Sequence, residues 1–163
     1  MENSKKINVL YVDDEENNLF SFKATFRLKY NVYTALSGNE AIDILRNNLN
    51  TDDKIEIIIT DQKMPNMTGV EFLETIIPEF PDPMRILLTG FADLSATIDA
   101  VNKGKIFHYL NKPWKEEELD ATITRAYEKY IDNMTTKQRA ERTELAEKLA
   151  DQMEFMLRQK LVS

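Results

Sequence analysis

Five side chains of complementary type stand at the ends of apolar runs. Asp13 and Asp14 follow Ile-Asn-Val-Leu-Tyr-Val, Asp61 follows Ile-Glu-Ile-Ile-Ile-Thr, Thr89 closes Met-Arg-Ile-Leu-Leu-Thr, and Lys112 comes two residues after Ile-Phe-His-Tyr-Leu. One Asp behind a strand is usually a turn or cap residue; three acids, a hydroxyl and an ammonium in equivalent places are harder to assign to turns. Two carboxylates about 4 Å apart repel by roughly 4 kcal/mol at an effective dielectric near 20, so three together need compensating cations or raised pKa values. Lys112 supplies one positive charge, and a divalent ion would supply two. With no Cys and a single His in the chain, the ligands on offer are hard oxygens, which favour Mg²⁺, with Mn²⁺ able to substitute, over Zn²⁺. A cation held by few carboxylates keeps positions open for a phosphoryl oxygen. The expected chemistry is phosphoryl transfer to an Asp nucleophile, with metal, ammonium and hydroxyl neutralising the developing charge.

These groups can meet only if the strands that carry them lie side by side and point the same way. The run 55–61 holds four isoleucines in its first five positions, the pattern of a strand buried on both faces at the centre of a parallel sheet. Behind it, Pro65 and Gly69 prevent the strand from continuing, so Met-Pro-Asn-Met-Thr-Gly forms a loop over the strand end. Strands are also expected at 7–12, 31–36, 84–89 and 106–110. Helices are expected at 17–28, with Leu19, Phe20, Phe22, Phe26 and Leu28 on its apolar stripe, and at 39–49, with Ala41, Ile42, Leu45 and Leu49 facing inward. Further helices follow at 70–77, from a cap at Asp93 or Ser95 to about Lys103, and from Trp114 to about Ile131.

Strictly alternating strands and helices describe an α/β fold: a flavodoxin-like (βα)5 doubly wound parallel sheet in the order 2-1-3-4-5 with right-handed crossovers. In that order strands one and three are neighbours at the topological switch point, where ligands bind outside the strands' carboxyl ends. Asp13, Asp14 and Asp61 are expected to converge there.

Asp13-Asp14, Asp61 with Met64-Pro65 and Gly69 at their offsets, Thr89, Tyr109 and Lys112-Pro113 together resemble the receiver domain of two-component response regulators, from about Lys6 to Tyr130. The resemblance implies that Asp61 is phosphorylated by a sensor histidine kinase or a phosphotransfer protein, and that Asp13, Asp14, Asp61 and the carbonyl of Lys63 hold Mg²⁺. It also implies that Thr89 and Lys112 contact the phosphoryl oxygens, that Tyr109 is an aromatic switch moving with Thr89, and that the Lys112-Pro113 bond is cis. Gly90 leaves one side of the pocket open, and Lys63 and Phe91 stand where the family varies its dephosphorylation rate. The segments Leu88-Thr89-Gly90-Phe91-Ala92-Asp93 and Lys112-Pro113-Trp114 look most like receivers attached to cyclic-nucleotide-related effectors. No enzymatic activity beyond the receiver's own phosphorylation and dephosphorylation is expected. Beside Tyr109, His108 reads as a structural or surface residue.

The remaining chain is read as a receiver domain at 1–131 and a helical extension at 132–163. Residues 135–144 carry one Ala and no larger apolar side chain, so this decade has no core to join. Leu145, Leu149, Met153, Met156, Leu157 and Leu161 then resume a stripe at helical spacing, which needs either a second copy of itself or an effector groove, or else folds back on its own domain. A homodimer is expected, through this coiled-coil-like helix, through the face formed by the fourth helix, fifth strand and fifth helix, or through both.

Composition excludes several classes. The net charge of −7 disfavours nucleic acid as a partner, and the stretch from Trp114 onward has eleven acidic against nine basic side chains and no helix-turn-helix pattern. No DNA-binding or enzymatic output domain is visible in the roughly thirty residues after the receiver. The amino terminus lacks a signal peptide's apolar segment, and no run approaches the roughly 18 apolar residues of a membrane span, so a cytoplasmic protein without membrane partners is expected. Two rivals share parts of the pattern. A flavodoxin-like cofactor protein would need a phosphate-binding Ser/Thr/Gly loop after the first strand, where four acidic residues stand. An Asp-nucleophile phosphatase would carry Asp-x-Asp there, whereas Asp13 and Asp14 are adjacent.

Overall fold

Side chains that are apolar on both faces leave a strand no side to turn to water, and the strands Asn8–Val12 (β1) and Ile57–Asp61 (β3) are buried along their whole length. They form the centre of a five-stranded, all-parallel sheet in the order β2-β1-β3-β4-β5, completed by Asn31–Ala35 (β2), Met84–Thr89 (β4) and His108–Asn111 (β5). The computed structural model describes residues 5–90 and 94–162. Its helices are Glu16–Phe26 (α1), Gly38–Asn48 (α2), Gly69–Ile76 (α3), Leu94–Asn102 (α4) and Glu116–Val162 (α5). The doubly wound fold expected from the alternation is the fold observed.

The sheet's pleat divides the core in two. Leu10, Val12, Ile58 and Leu87 pack with α2 and α3 residues such as Ala41, Leu45, Phe72 and Leu73, while Val9, Tyr11, Ile57, Ile59, Ile86 and Leu88 pack with Leu19, Phe22, Phe26, Leu119 and Ile123 of α1 and α5. Ser37 and Thr68 cap α2 and α3, each accepting from the amide three residues on. α5 is tied to the segment between α1 and β2 by Asp120, which accepts a hydrogen bond from the Tyr30 hydroxyl and pairs with Lys29.

Some local expectations are corrected. α1 ends at Phe26, two residues short of the expected helix, and buries Leu19, Phe22 and Phe26. Phe20 and Leu28 are 76% and 78% exposed, Phe20 because it lies one residue (about 100°) round from Leu19, Leu28 because it follows the helix end. Leu49 falls just past the end of α2 and is partly exposed, while Ile44, which the stripe had passed over, packs against the core with Ile42. Ser95 lies inside α4 rather than before it, and the alternative cap, Asp93, is outside the described residues.

The chain divides into two units, Met1–Tyr130 and Ile131–Ser163. The polar decade 135–144 does not interrupt the helix, because helical hydrogen bonding is internal to the backbone and the segment holds neither Gly nor Pro. Within the second unit Glu144–Lys148 and Glu154–Arg158 form ion pairs one turn apart, while Leu145, Leu149, Met153, Met156, Leu157 and Leu161 are all exposed. Among the described residues no helix is long and apolar enough to cross a membrane.

Candidate functional site

Parallel pairing puts the carboxyl end of every strand on one edge of the sheet, and chain order reverses between β1 and β3. Asp13 follows β1 and Asp61 ends β3. Asp13, Asp14 and Asp61 offer carboxylate oxygens within 4.8 Å of one another, an arrangement able to hold a metal ion. Asp13 is fully buried, Asp61 nearly so, and Asp14 is exposed, so the cluster opens to solvent on one side. Lys112, just beyond β5, reaches across with its Nζ 3.0 Å from Asp61 Oδ2 and 3.2 Å from Asp13 Oδ2. Four of the five expected groups therefore form one cluster, with the ammonium bridging two acids.

The electrostatics follow from that geometry. Burial pushes the Asp61 carboxyl up from its ordinary range, with Asp13 adding to the rise; Lys112 and the Lys63 amide oppose it without cancelling it. Burial works against the Lys112 charge, but hydrogen bonding and attraction to Asp61 and Asp13 outweigh it and raise the ammonium's pKa. Asp13 is locked in place: its Oδ1 accepts from the Glu15 amide at 2.9 Å and its Oδ2 from Asn18 Nδ2 at 3.0 Å. The sequence reading did not single out Asn18; its one signal is a position in the first turn of α1, five residues past Asp13, which many Asn residues share.

The loop behind Asp61 is held by Gln62, a second residue the sequence did not single out. Its backbone amide donates to Leu88 O, its carbonyl accepts from Gly69, and its buried side-chain Oε1 accepts from the Val70 amide at 2.9 Å, which fixes the start of α3 beside the strand end. Asn66 takes the left-handed conformation at φ 69°, which Asn tolerates better than most residues. Gly69 is required by proximity: a Cβ there would meet the Asp61 carbonyl oxygen at 2.4 Å and Leu87 Cδ1 at 2.8 Å. Since the first obstacle is backbone of the central strand, Gly69→Ala is expected to destabilise the domain by about 1–3 kcal/mol, as overpacking does. A lower chemical-denaturation midpoint with an unchanged slope would register that loss.

Thr89 ends β4, buried beside the β3 terminus, with its Oγ1 donating to Gly90 O at 3.1 Å and its carbonyl accepting from the Lys112 amide. Among the described residues, a Cβ at Gly90 would meet nothing within 4 Å. Tyr109 is half-buried against the α2/α3 side of the core, 5.9 Å from the His108 ring. His108 is half-buried, and burial, followed by Arg125, holds its imidazole below the usual range. The Lys112–Pro113 bond is cis. Lys63 is exposed in the loop; Phe91 is outside the described residues.

A doubly wound α/β domain with a lysine-bridged acidic cluster at its switch point is the class of protein that fold and site define. Residues 9–124 match the response regulator receiver domain, and the chain belongs to that family of two-component signalling proteins. It is 34% identical over 124 residues to the hydrogenase transcriptional regulatory protein HoxA of Cupriavidus necator, a match covering 76% of this chain and 25% of that protein. The chain thus spans about a quarter of the length of such curated relatives. Among solved structures, it is similar to the adenylate cyclase of Rhodopirellula baltica (30% identity, TM-score 0.73, 82% of this chain and 96% of that one). It is also similar to a response regulator receiver domain protein of Clostridium thermocellum (34% identity, TM-score 0.69, 76% and 95%).

Proposed function

We propose that Asp61 is the phosphoacceptor of this receiver and that a sensor histidine kinase or phosphotransfer protein is the donor. The observation that carries this reading is the Asp61 carboxylate itself: it stands at the switch point, beside two further acids and 3.0 Å from the Lys112 ammonium. An Asp61 oxygen attacks the phosphorus of a phosphohistidine, the P–N bond breaks, and its electron pair leaves with the imidazole, which takes up a proton. Lys112 turns from the carboxylates to the new phosphoryl oxygens, and Thr89 donates its hydroxyl to them in place of Gly90 O. Three clustered carboxylates suit a hard divalent cation, so Asp13, Asp14, Asp61 and the carbonyl of Lys63 would hold Mg²⁺, or Mn²⁺. When bound, that ion supplies positive charge to the phosphoryl oxygens.

The reading is tested by incubating the protein with acetyl phosphate, with Mg²⁺ and with EDTA. The expected product is an acid-labile, hydroxylamine-sensitive adduct on the peptide containing Asp61, formed only with Mg²⁺. An adduct elsewhere, or one indifferent to EDTA, would overturn it.

The signal then passes as a bias between two arrangements of Thr89, Tyr109 and the α4–β5–α5 surface. Each tenfold change in partner affinity needs only about 1.4 kcal/mol of difference between the two. Residues 1–131 serve as the receiver and 132–163 as a dimerisation segment, a division supported by the exposed apolar row from Leu145 to Leu161. Light scattering of the full chain is expected to give a dimer, and Leu149→Glu combined with Met153→Glu a monomer that is still phosphorylated. A mass that rises with beryllofluoride and Mg²⁺ would place the α4–β5–α5 face in the assembly as well.

A further inference from the structure

Among the described residues, one buried side-chain polar atom has no hydrogen-bond partner: the hydroxyl of Tyr11. Tyr11 is fully buried in β1, and strand alternation puts it on the same face as Asp13, two residues on. Its ring stacks on Phe22 with centroids 4.2 Å apart and planes 10° from parallel, which fixes where the hydroxyl lies. That place is beside the Asp13 carboxylate and the Trp114 indole, both near enough to act on the hydroxyl, though it makes a hydrogen bond of good geometry to neither. A phenylalanine would fill the same volume without leaving a donor unmet, and a buried polar group left unpaired in a native structure calls for a reason.

Asp13 supplies one. Its carboxylate already accepts from the Glu15 amide, Asn18 Nδ2 and Lys112 Nζ, so three of about four acceptor positions are in use. Of those donors Lys112 is the one free to leave. It is partly exposed, sits on a flexible stem, and carries the same sign of charge as any cation entering among the acids. Resting on the Mg²⁺ reading above, we propose that Tyr11 is a positioning residue for the metal-loaded site. With a divalent cation held among the acids in place of Lys112, the Tyr11 hydroxyl would donate to the remaining acceptor position of Asp13 and hold that carboxylate in its ligand orientation. Trp114, two residues beyond Lys112 and packed 6.1 Å from Phe22 and 5.8 Å from Phe26, shares the aromatic cluster with Tyr11 and registers the exchange.

The test uses the full chain as wild type, Tyr11→Phe and Asp14→Asn, the last because Asp14 is exposed and its loss leaves the core intact. Mg²⁺ is titrated by calorimetry and by following the indole N–H resonance of Trp114, which is unambiguous because the chain has one tryptophan. Metal-free thermal stability is measured alongside. Tyr11→Phe is expected to melt at or above the wild-type temperature without metal, to bind Mg²⁺ about 3- to 10-fold more weakly, and to lose most of the Mg²⁺-induced Trp114 shift. If Asp14→Asn weakens Mg²⁺ binding while Tyr11→Phe matches wild type, the Tyr11 role is overturned and the metal reading stands. If Tyr11→Phe loses metal-free stability and affinity together, the hydroxyl is merely structural and the role is again overturned. Absent saturable binding in the wild type, or binding untouched by Asp14→Asn, would remove the metal reading and the Tyr11 role with it.

Discussion

Asp61→Asn is expected to abolish phosphoryl uptake while making the protein more stable. The amide cannot act as the attacking oxygen anion, so labelling by acetyl phosphate should fall below detection; a retained hydroxylamine-sensitive adduct would show that the acceptor lies elsewhere. The stability gain comes from the same burial that makes the site. Burial raises the Asp61 pKa in the folded chain above its unfolded value. A carboxyl raised in this way favours folding fully below its unfolded pKa, and the advantage is lost as pH rises through the folded pKa. Near neutral pH the wild type therefore carries an ionised, partly desolvated carboxylate that the variant lacks. The gain should be on the order of 1 kcal/mol, or about 2–4 °C in melting temperature for a chain of this size. It should grow between mildly acidic and neutral pH and shrink towards pH 4. Mg²⁺ should close the gap from the other side, by stabilising only the wild type.

Lys112→Ala should cost both activity and stability. Its ammonium stands 3.0 and 3.2 Å from oxygens of two buried acids, and its removal leaves those acids facing each other without a counter-charge. Breaking a buried pair from one side typically costs 3–5 kcal/mol; because Lys112 is partly exposed, a loss of about 3 kcal/mol is expected. Phosphoryl uptake should fall on the order of 10²–10³-fold, the scale seen when one preorganised charge-stabilising donor is removed. The raised Lys112 pKa sets the sign with pH: its contribution is complete below the ordinary lysine value and is lost as pH rises through the folded one. Wild type and variant should therefore differ across the whole neutral range and converge only at strongly alkaline pH. Added Mg²⁺ should restore much of the lost stability but not the lost rate, since it replaces the charge at the acids and not the donor that moves to the phosphate. Melting curves with and without Mg²⁺, beside initial labelling rates, separate the two effects.

The strand-end acids were legible because a parallel sheet converts sequence position into spatial position. Once 7–12 and 55–61 are strands, Asp13 and Asp61 share an edge whatever the intervening loops do. The side-chain partners were not legible in this way. Asn18, Gln62 and Tyr11 reach the site through rotamers and through loop and stacking geometry that no residue spacing specifies. Phe20 and Leu28 show the converse error: hydrophobicity alone put them inside, whereas the 100° turn between residues and the true end of α1 left them in water.

What the amino-acid sequence determined by itself was the alternation of elements, the doubly wound class and the edge on which three acids, a hydroxyl and an ammonium collect, because hydrophobic period and strand ends are local properties that survive any detail of packing. The tertiary structure alone decided that Lys112 bridges Asp13 and Asp61, that Gly69 cannot carry a Cβ, and that the Tyr11 hydroxyl is left without a partner. Each of these depends on distances of a few ångströms between residues as many as 99 positions apart, which only the packed chain defines.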